Sequence, residues 1–127
     1  MKNILIDTDI LINFLRGKEK AKSFLTLLID EGTTYCSVIT IAEIFAGMRE
    51  HEKNDTIKLI DSLNIVDVTR EIAEKAGSYK KKIRSQSLEL DDCILAATAF
   101  SKHAVLATGN GKHYPMNDIK KAVISLD

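Results

Sequence analysis

Short apolar runs alternate with longer helical patterns along the chain. Five runs have the length and residue types of β-strands, and they cover Asn3–Asp7, Thr33–Val38, Ile65–Val68, Ala104–Thr108 and Ala122–Ser125. Between them, apolar residues recur at helical spacing, which predicts helices around Ile10–Leu15, Ala21–Ile29, Ile41–Arg49, Ile57–Leu63, Ile72–Ile83 and Asp91–Lys102. Strands that alternate with helices indicate a mainly parallel sheet with helices on both faces. We therefore predict a three-layer α/β fold whose central sheet has about five strands.

Length and charge narrow the kinds of protein that this pattern allows. The chain has 127 residues, the size of one domain, and its 18 basic and 18 acidic residues give a formal net charge of zero. A balanced charge argues against a protein that coats nucleic acid through a positive excess, but it allows an enzyme with a local nucleic-acid patch. No apolar stretch is long enough to span a membrane, and an acid interrupts the amino-terminal apolar run. We expect a cytoplasmic protein without a membrane anchor, with Cys36 and Cys93 as buried free thiols.

Acidic residues follow several of the predicted strands. Asp7 ends the first strand, Asp9 comes two residues later, Glu43 lies in the first turn of the helix after the second strand, and Asp91 and Asp92 open an alanine-rich helix. The carboxyl ends of parallel strands share one rim, where ligands bind, so these acids are expected to converge. Gathered carboxylates repel one another unless a cation neutralises them, and oxygen donors favour a hard ion such as Mg²⁺ or Mn²⁺. The chemistry that this suggests is metal-assisted hydrolysis of a phosphoryl group.

Each acid also has a structural explanation that the sequence leaves open. The spacing Thr40-x-x-Glu43 matches a capping box, in which Glu43 would close the start of a helix. Asp9, Asp91 and Asp92 stand where an acid stabilises the positive end of a helix dipole. Asp7 is harder to explain in this way, because a carboxylate at the buried end of an apolar strand requires a partner.

Four motifs follow one another along the chain. They read ILIDTDILINFLRG, CSVITIAEIFAGM, DDCILAATAF and VLATGNGKHYPM. In this order and spacing they resemble the motifs of the PIN-domain family, and specifically of its VapC-type toxins from bacterial and archaeal toxin–antitoxin pairs. In the third motif Cys93 takes the place of the usual Ala. The resemblance covers essentially the whole chain and implies that residues 1–127 form a single PIN domain.

The resemblance implies which residues form the site. Asp7, Glu43 and Asp92, here called the core acids, match the three metal-binding acids of the family and are the expected catalytic residues. The last motif departs from the family pattern, because many members have an acid there and this chain has Asn110 and His113. The side chains expected to support the core acids are those of Asp9, Asp91, Thr8, Thr108, Asn110 and His113.

The activity implied by the resemblance is that of a Mg²⁺-dependent endoribonuclease, with Mn²⁺ accepted in its place. The core acids would hold the ion, and metal-activated water would attack the scissile phosphorus to leave a 5′-phosphate and a 3′-hydroxyl. No protein nucleophile is needed, and the sequence offers no Ser-His-Asp or Cys-His arrangement. The implied function is the toxin of a VapBC-type pair, with an RNA substrate, a VapB-like antitoxin and a homodimeric assembly.

Basic residues supply candidate contacts for RNA. Arg16 and Lys112 lie close in sequence to the proposed rim, so each is predicted to contact a phosphate. Lys80–Arg84 is the densest basic cluster, although such a run is also typical of a solvated helix face. Tyr114 could stack on a base, but an aromatic residue beside Pro115 more often serves local packing, which is the interpretation that we favour.

Two other functions stay open at the level of sequence. A non-catalytic PIN-like module would bind RNA or a protein without cleaving it, and the altered last motif allows this, whereas the presence of all three core acids opposes it. A haloacid-dehalogenase-like phosphatase would use the Asp-Thr-Asp at residues 7–9 and the threonine at position 108. That class places its paired acids after the threonine, whereas Asp91 and Asp92 come before it.

Overall fold

The central sheet of the computed structural model, which describes residues 2–126, has five strands. They are β1 (Lys2–Ile6), β2 (Gly32–Ser37), β3 (Asn64–Val66), β4 (Ala104–Thr108) and β5 (Lys120–Val123). The α-helices are α1 (Thr8–Leu15), α2 (Glu19–Glu31), α3 (Val38–Gly47), α4 (Lys53–Asp61), α5 (Arg70–Lys82) and α6 (Leu90–Ser101). Short 3₁₀ turns occupy Glu50–Glu52 and Gly111–His113.

All neighbouring strands run parallel, in the order β3-β2-β1-β4-β5. Leu5 in the central strand lies opposite Tyr35 on one side and Leu106 on the other. Because β1 is flanked by both β2 and β4, the segment that leaves its carboxyl end lies between the segments that leave those two strands. This is the position at which sheets of this kind bind ligands.

Side chains of β1 alternate between two hydrophobic clusters, one on each face of the sheet. Ile4 and Ile6 belong to the cluster that contains residues of α1, α2, α3 and α4. Leu5 belongs to the cluster that contains residues of α5 and α6. All three side chains are at most 1% exposed, as expected for a parallel strand that is covered on both faces. The predicted three-layer arrangement and the five-stranded parallel sheet are confirmed.

The boundary between β2 and α3 differs from the prediction. Val38 was expected to end a strand, but the Ser37 hydroxyl accepts a hydrogen bond from the Ile39 amide, and α3 therefore begins at Val38 rather than at Ile41. Thr40 consequently lies inside the helix, so the structure does not support the capping-box explanation of Glu43 that the sequence left open. Glu43 falls in the second turn of α3 and not in the first.

Smaller shifts occur at the ends of other strands. Asp7 is the N-cap residue of α1 rather than the last residue of β1. The last strand begins at Lys120 and ends at Val123, ahead of the predicted Ala122–Ser125. Cys36 and Cys93 are buried free thiols, as predicted. Among the helices of residues 2–126, none has the length and apolar character needed to cross a bilayer.

Candidate active site

Asp7 is held at the carboxyl edge of the sheet by several hydrogen bonds. Its Oδ1 accepts the Thr8 amide at 2.7 Å, as the N-cap of α1 requires. Its Oδ2 accepts the Thr108 hydroxyl at 2.7 Å, which ties the end of β1 to the end of β4. The Asp7 backbone amide also donates to the Ala107 carbonyl at 2.9 Å. With 7% of its surface exposed, Asp7 is a buried and firmly oriented carboxylate.

Tyr114 joins two of the core acids. Its hydroxyl lies 2.9 Å from Asp7 Oδ2 and 3.2 Å from Asp92 Oδ1, and the residue has no exposed surface. A phenol carries one proton, so it donates to one of these oxygens at a time. The pKa of Tyr114 is raised far above its usual value. Burial is the largest cause, and the charges of Asp7 and Asp92 add to it, so the hydroxyl stays protonated.

Asp92 lies in the first turn of α6, at the predicted position. Its Oδ2 is 3.4 Å from His113 Nδ1, and its amide donates to Asp91 Oδ1 at 2.9 Å. Burial and the charge of Asp91 raise the pKa of Asp92, while the Tyr114 hydrogen bond and His113 act in the opposite direction. His113, whose side chain is 55% exposed, therefore connects Asp92 to solvent at the mouth of the site.

Glu43 reaches the same edge from α3. Its Oε1 accepts the Thr8 hydroxyl at 2.7 Å, and that hydroxyl also lies 3.0 Å from Thr40 Oγ1. Burial, followed by the nearby Asp91 and Asp7, raises the pKa of Glu43 to about 7, against the lowering effect of the Thr8 hydrogen bond. Near neutral pH a substantial fraction of Glu43 is thus protonated in the absence of a compensating cation.

Asp9 connects α1 to the loop after β4. Its Oδ2 accepts the Gly109 amide at 3.0 Å and Asn110 Nδ2 at 3.1 Å. A Cβ atom at position 109 would stand only 2.8 Å from Asp9 Oδ2 and 2.5 Å from Leu126 Cδ1, so a larger residue there would displace these side chains. Burial and the charge of Asp7 raise the pKa of Asp9 to about 6, against the lowering effect of the Gly109 amide. The second oxygen, Oδ1, is buried without a hydrogen-bond partner among residues 2–126.

The structure thus brings most of the sequence-predicted site residues together. Thr108 donates to Asp7 and accepts the Asn110 amide at 2.9 Å, so it also orients the last motif. Lys112 is exposed and adjoins His113 in the 3₁₀ turn. Arg16 does not join them, because it caps the far end of α1, about 12 Å along the helix from the acidic end.

The sequence interpretation missed the role of Tyr114. Packing beside Pro115 was the favoured explanation, and the ring is indeed part of the hydrophobic core. Its hydroxyl, however, supplies the partner that a buried Asp7 was expected to need. A tyrosine in the same motif as Thr108 and His113 was the available signal.

The donor set fits a hard divalent cation. Five carboxylates approach one edge of the sheet, and three of them have raised pKa values because they are buried near one another. Asp9 Oδ1 adds a buried oxygen that accepts no hydrogen bond from the residues between positions 2 and 126. Across residues 2–126, no three His, Cys, Asp or Glu side chains stand in a ready-made metal cage. Mg²⁺ keeps several waters and needs only one or two carboxylates, so the arrangement is compatible with it.

Fold and site together define a class of protein. It consists of parallel α/β proteins with a carboxylate site at the carboxyl end of the central strands, where the chain connections leave in opposite directions. The family model of the PIN domain matches residues 4–118. The chain belongs to the PIN-domain family, and the family predicted from the four motifs is confirmed. Membership of this family also removes the haloacid-dehalogenase-like alternative.

Individual relatives agree with this assignment. The chain is similar to ribonuclease VapC10 of Mycobacterium tuberculosis, with 36% identity over 115 residues that cover 89% of this chain and 86% of that protein. It is similar to ribonuclease VapC19 of the same organism, with 35% identity over 115 residues that cover 88% of this chain and 92% of that protein. A chain of a toxin–antitoxin complex from Klebsiella pneumoniae has the same fold, with a TM-score of 0.78, 26% identity and 98% coverage of both chains.

Proposed function

We propose that this protein is the toxin of a VapBC-type pair and that it is a Mg²⁺-dependent endoribonuclease. The observation that carries the proposal is the convergence of the core acids, with Asp7 and Asp92 joined through the Tyr114 hydroxyl. The names of its relatives, ribonucleases VapC10 and VapC19, support the choice of RNA as substrate.

Asp7, Glu43 and Asp92 would hold the ion, directly or through the waters that it keeps, and Mn²⁺ would substitute for Mg²⁺. When bound, the ion supplies positive charge that offsets the acids and the phosphate and makes a nearby water more acidic. The fit rests on oxygen donors with raised pKa values and on Asp9 Oδ1, which is buried without a hydrogen-bond partner in the described part of the chain. Binding a cation there would lower these pKa values and remove the mutual repulsion of the carboxylates.

The task of the surrounding side chains is to orient the acids. Each core acid lies within hydrogen-bond distance of a hydroxyl. Thr108 donates to Asp7, Thr8 donates to Glu43, and Asp7 and Asp92 share the single proton of Tyr114. A carboxylate has about four acceptor positions, so these bonds fix its plane and leave positions for a ligand. Groups that orient a ligand in this way typically contribute roughly 10–100-fold to metal affinity or activity.

The exposed side of the site would receive the substrate. His113 and Asn110 lie at the solvent-facing mouth, with Lys112 beside them. All three can donate hydrogen bonds to phosphate oxygens, and Lys112 also adds charge.

We further propose a VapB-like antitoxin, a homodimer and a cytoplasmic location. A nuclease that cleaves RNA of its own cell has to be inhibited until it is needed, and the similar Klebsiella chain belongs to a toxin–antitoxin complex. Large apolar side chains on α2 and α3 are exposed in the single chain, namely Leu27 at 53%, Ile29 at 51% and Phe45 at 40%. Such surfaces favour a partner that covers them.

The proposal is tested by incubating the purified chain with bacterial RNA in Mg²⁺ and in EDTA, beside its Asp7→Asn variant. The unaltered chain is expected to cleave RNA in Mg²⁺ but not in EDTA, and to leave 5′-phosphate ends. The Asp7→Asn variant is expected not to cleave RNA under either condition. Asp55→Asn, which alters an exposed acid of α4, is the matched control and should cleave like the unaltered chain. Full activity in EDTA or in Asp7→Asn contradicts the mechanism, and no cleavage of any RNA would favour the non-catalytic module.

A further inference from the structure

A basic cleft opens at the end of α5 and along the loop that leads to α6. Its volume is about 520 Å³. The polar residues that line it are Lys80, Lys81, Arg84, Gln86 and Ser87. From position 78 to position 87 the chain has no acidic residue, and Ile83 and Leu88 complete the lining, so the cleft has no acid in its walls.

The packing of α5 against α6 places this cleft beside the acids. Lys75, in the middle of α5, lies 3.7 Å from the centre of the Phe100 ring, near the end of α6. Lys80, one and a half turns later, donates to the Leu88 carbonyl at 2.6 Å, just before α6 begins. The two helices are therefore antiparallel, and the cleft lies at the end of α6 that bears Asp92.

A second contact connects the wall of the cleft to the mouth of the site. Gln86 Nε2 donates to the Lys112 carbonyl at 2.8 Å. The next residue, His113, places its Nδ1 3.4 Å from Asp92 Oδ2. A polymer that follows the cleft would thus pass directly over the acidic site.

The charges of the cleft are available for a ligand. Lys81 and Arg84 are exposed, and among residues 2–126 neither forms an ion pair or a side-chain hydrogen bond. Lys75, on the same helix, is by contrast paired with Asp118 at 2.8 Å. Two unpaired cations together with an amide and a hydroxyl form a donor set that matches successive phosphates of a nucleic-acid strand.

We propose that this cleft binds the backbone of single-stranded RNA on one side of the phosphate to be cleaved, an inference that rests on the proposed ribonuclease function. The acidic site repels a polyanion, and cations beside it offset that repulsion where the strand enters. Asp7 is only 7% exposed, so the reacting phosphate has to be delivered into a recess. A flexible single strand can reach into it, whereas a duplex holds its phosphates on a rigid convex surface.

The test uses the full chain and its Lys81→Ala/Arg84→Ala variant. Binding of a fluorescent random-sequence 20-nucleotide RNA is measured by anisotropy across a range of NaCl concentrations, with Ca²⁺ in place of Mg²⁺. The matched control is Lys53→Ala/Lys58→Ala, which removes two exposed lysines from α4. Hydrolysis of bis(p-nitrophenyl) phosphate in Mg²⁺ reports on the acids alone, since this small diester does not extend into the cleft.

If the cleft binds RNA, the variant should bind RNA at least tenfold more weakly at about 100 mM salt. The plot of log binding constant against log salt concentration should also become less steep by about 1.4, because about 0.7 is lost for each of two phosphates that are no longer neutralised. Small-diester hydrolysis should be unchanged, and the α4 control should bind RNA normally. If the variant and the unaltered chain bind RNA equally well, the proposal that the cleft binds RNA is wrong, but the nuclease proposal is unaffected. Equal weakening in the α4 control also overturns the cleft proposal, since binding would then follow net charge. No RNA binding by the unaltered chain overturns the cleft proposal, whereas the nuclease proposal is decided separately by the cleavage of bacterial RNA.

Discussion

The hydroxyl of Tyr114 lies 2.9 Å from Oδ2 of Asp7, and the tyrosine has no exposed surface. The same hydroxyl reaches Asp92 on α6, so one buried group positions acids that come from two different elements of the fold. Neither acid has a Lys or Arg within salt-bridge distance among residues 2–126. The neutral hydroxyl orients the carboxylates without neutralising them, and thus leaves their charge for a cation.

Tyr114→Phe retains the ring in the core and removes the hydroxyl. We expect Mg²⁺ affinity to fall by roughly 10–100-fold, because an orienting group of the acids is lost. Isothermal titration with Mg²⁺ measures this directly, and RNA cleavage should fall in parallel. Tyr79→Phe is the matched control, since its hydroxyl bonds Asp118 at 2.7 Å outside the site. Equal Mg²⁺ affinities for both variants would contradict the positioning role of Tyr114.

The metal-free protein should become less stable as the pH rises. Burial raises the pKa of Asp9 to about 6 and that of Glu43 to about 7, so the folded chain binds more protons than the unfolded chain between about pH 4 and 7. Stability then decreases with rising pH across this window. Thermal unfolding in EDTA should show a higher Tm at pH 5 than at pH 8.

Two comparisons identify the acids as the source of that dependence. Addition of Mg²⁺ at pH 8 should raise the Tm, because the cation compensates the ionised carboxylates. Glu43→Gln should reduce the difference in Tm between pH 5 and pH 8, because it removes the group with the pKa of about 7. A Tm in EDTA that is the same at both pH values would contradict the assignment of raised pKa values.

Asp118 should stabilise the fold more as the pH rises, which is the opposite of the effect of Asp9 and Glu43. Burial alone would raise its pKa, but hydrogen bonds from Lys75 and Tyr79 outweigh this, and the pKa is lowered from 3.8. The carboxylate therefore stabilises the fold above that pH, and its contribution is lost as the pH falls through the lowered pKa. Asp118 is exposed, so solvent screening limits the effect. We expect Asp118→Asn to cost at most about 1 kcal/mol in urea unfolding at pH 7, and less at acid pH. A cost that is independent of pH would show that the charge of Asp118 plays no part.

Expression of the chain alone in a bacterial host should slow growth if it is a toxin. Asp92→Asn should relieve this, because it removes one of the three core acids, and Asp30→Asn, an exposed acid of α2, should not. Growth curves after induction, with protein levels checked by immunoblot, measure the difference. Growth inhibition by Asp92→Asn at an equal protein level would contradict the metal-site model.

The sequence predicted the layers of the fold and the edge at which the acids meet, because apolar periodicity and strand order depend on local pattern. It did not predict the start of α3, where two hydroxyl residues compete for the cap and Ser37 takes that role instead of Thr40. Nor did it predict that Arg16 lies away from the site. Arg16 is close to Asp9 in sequence, but the two residues stand at opposite ends of α1. The Tyr114 hydrogen bond joins positions 107 residues apart, and no local pattern encodes a contact of that range.

That range has a consequence for the way the protein is made. β1 leaves the ribosome first, but its neighbour β4 and the residue that bridges Asp7 to Asp92 lie in the last quarter of the chain. Until that part has been synthesised, the central strand lacks one of its two partners and the acids lack their common donor. The site is thus completed only after Tyr114 has been synthesised, and the proposed ribonuclease activity is expected to begin only then.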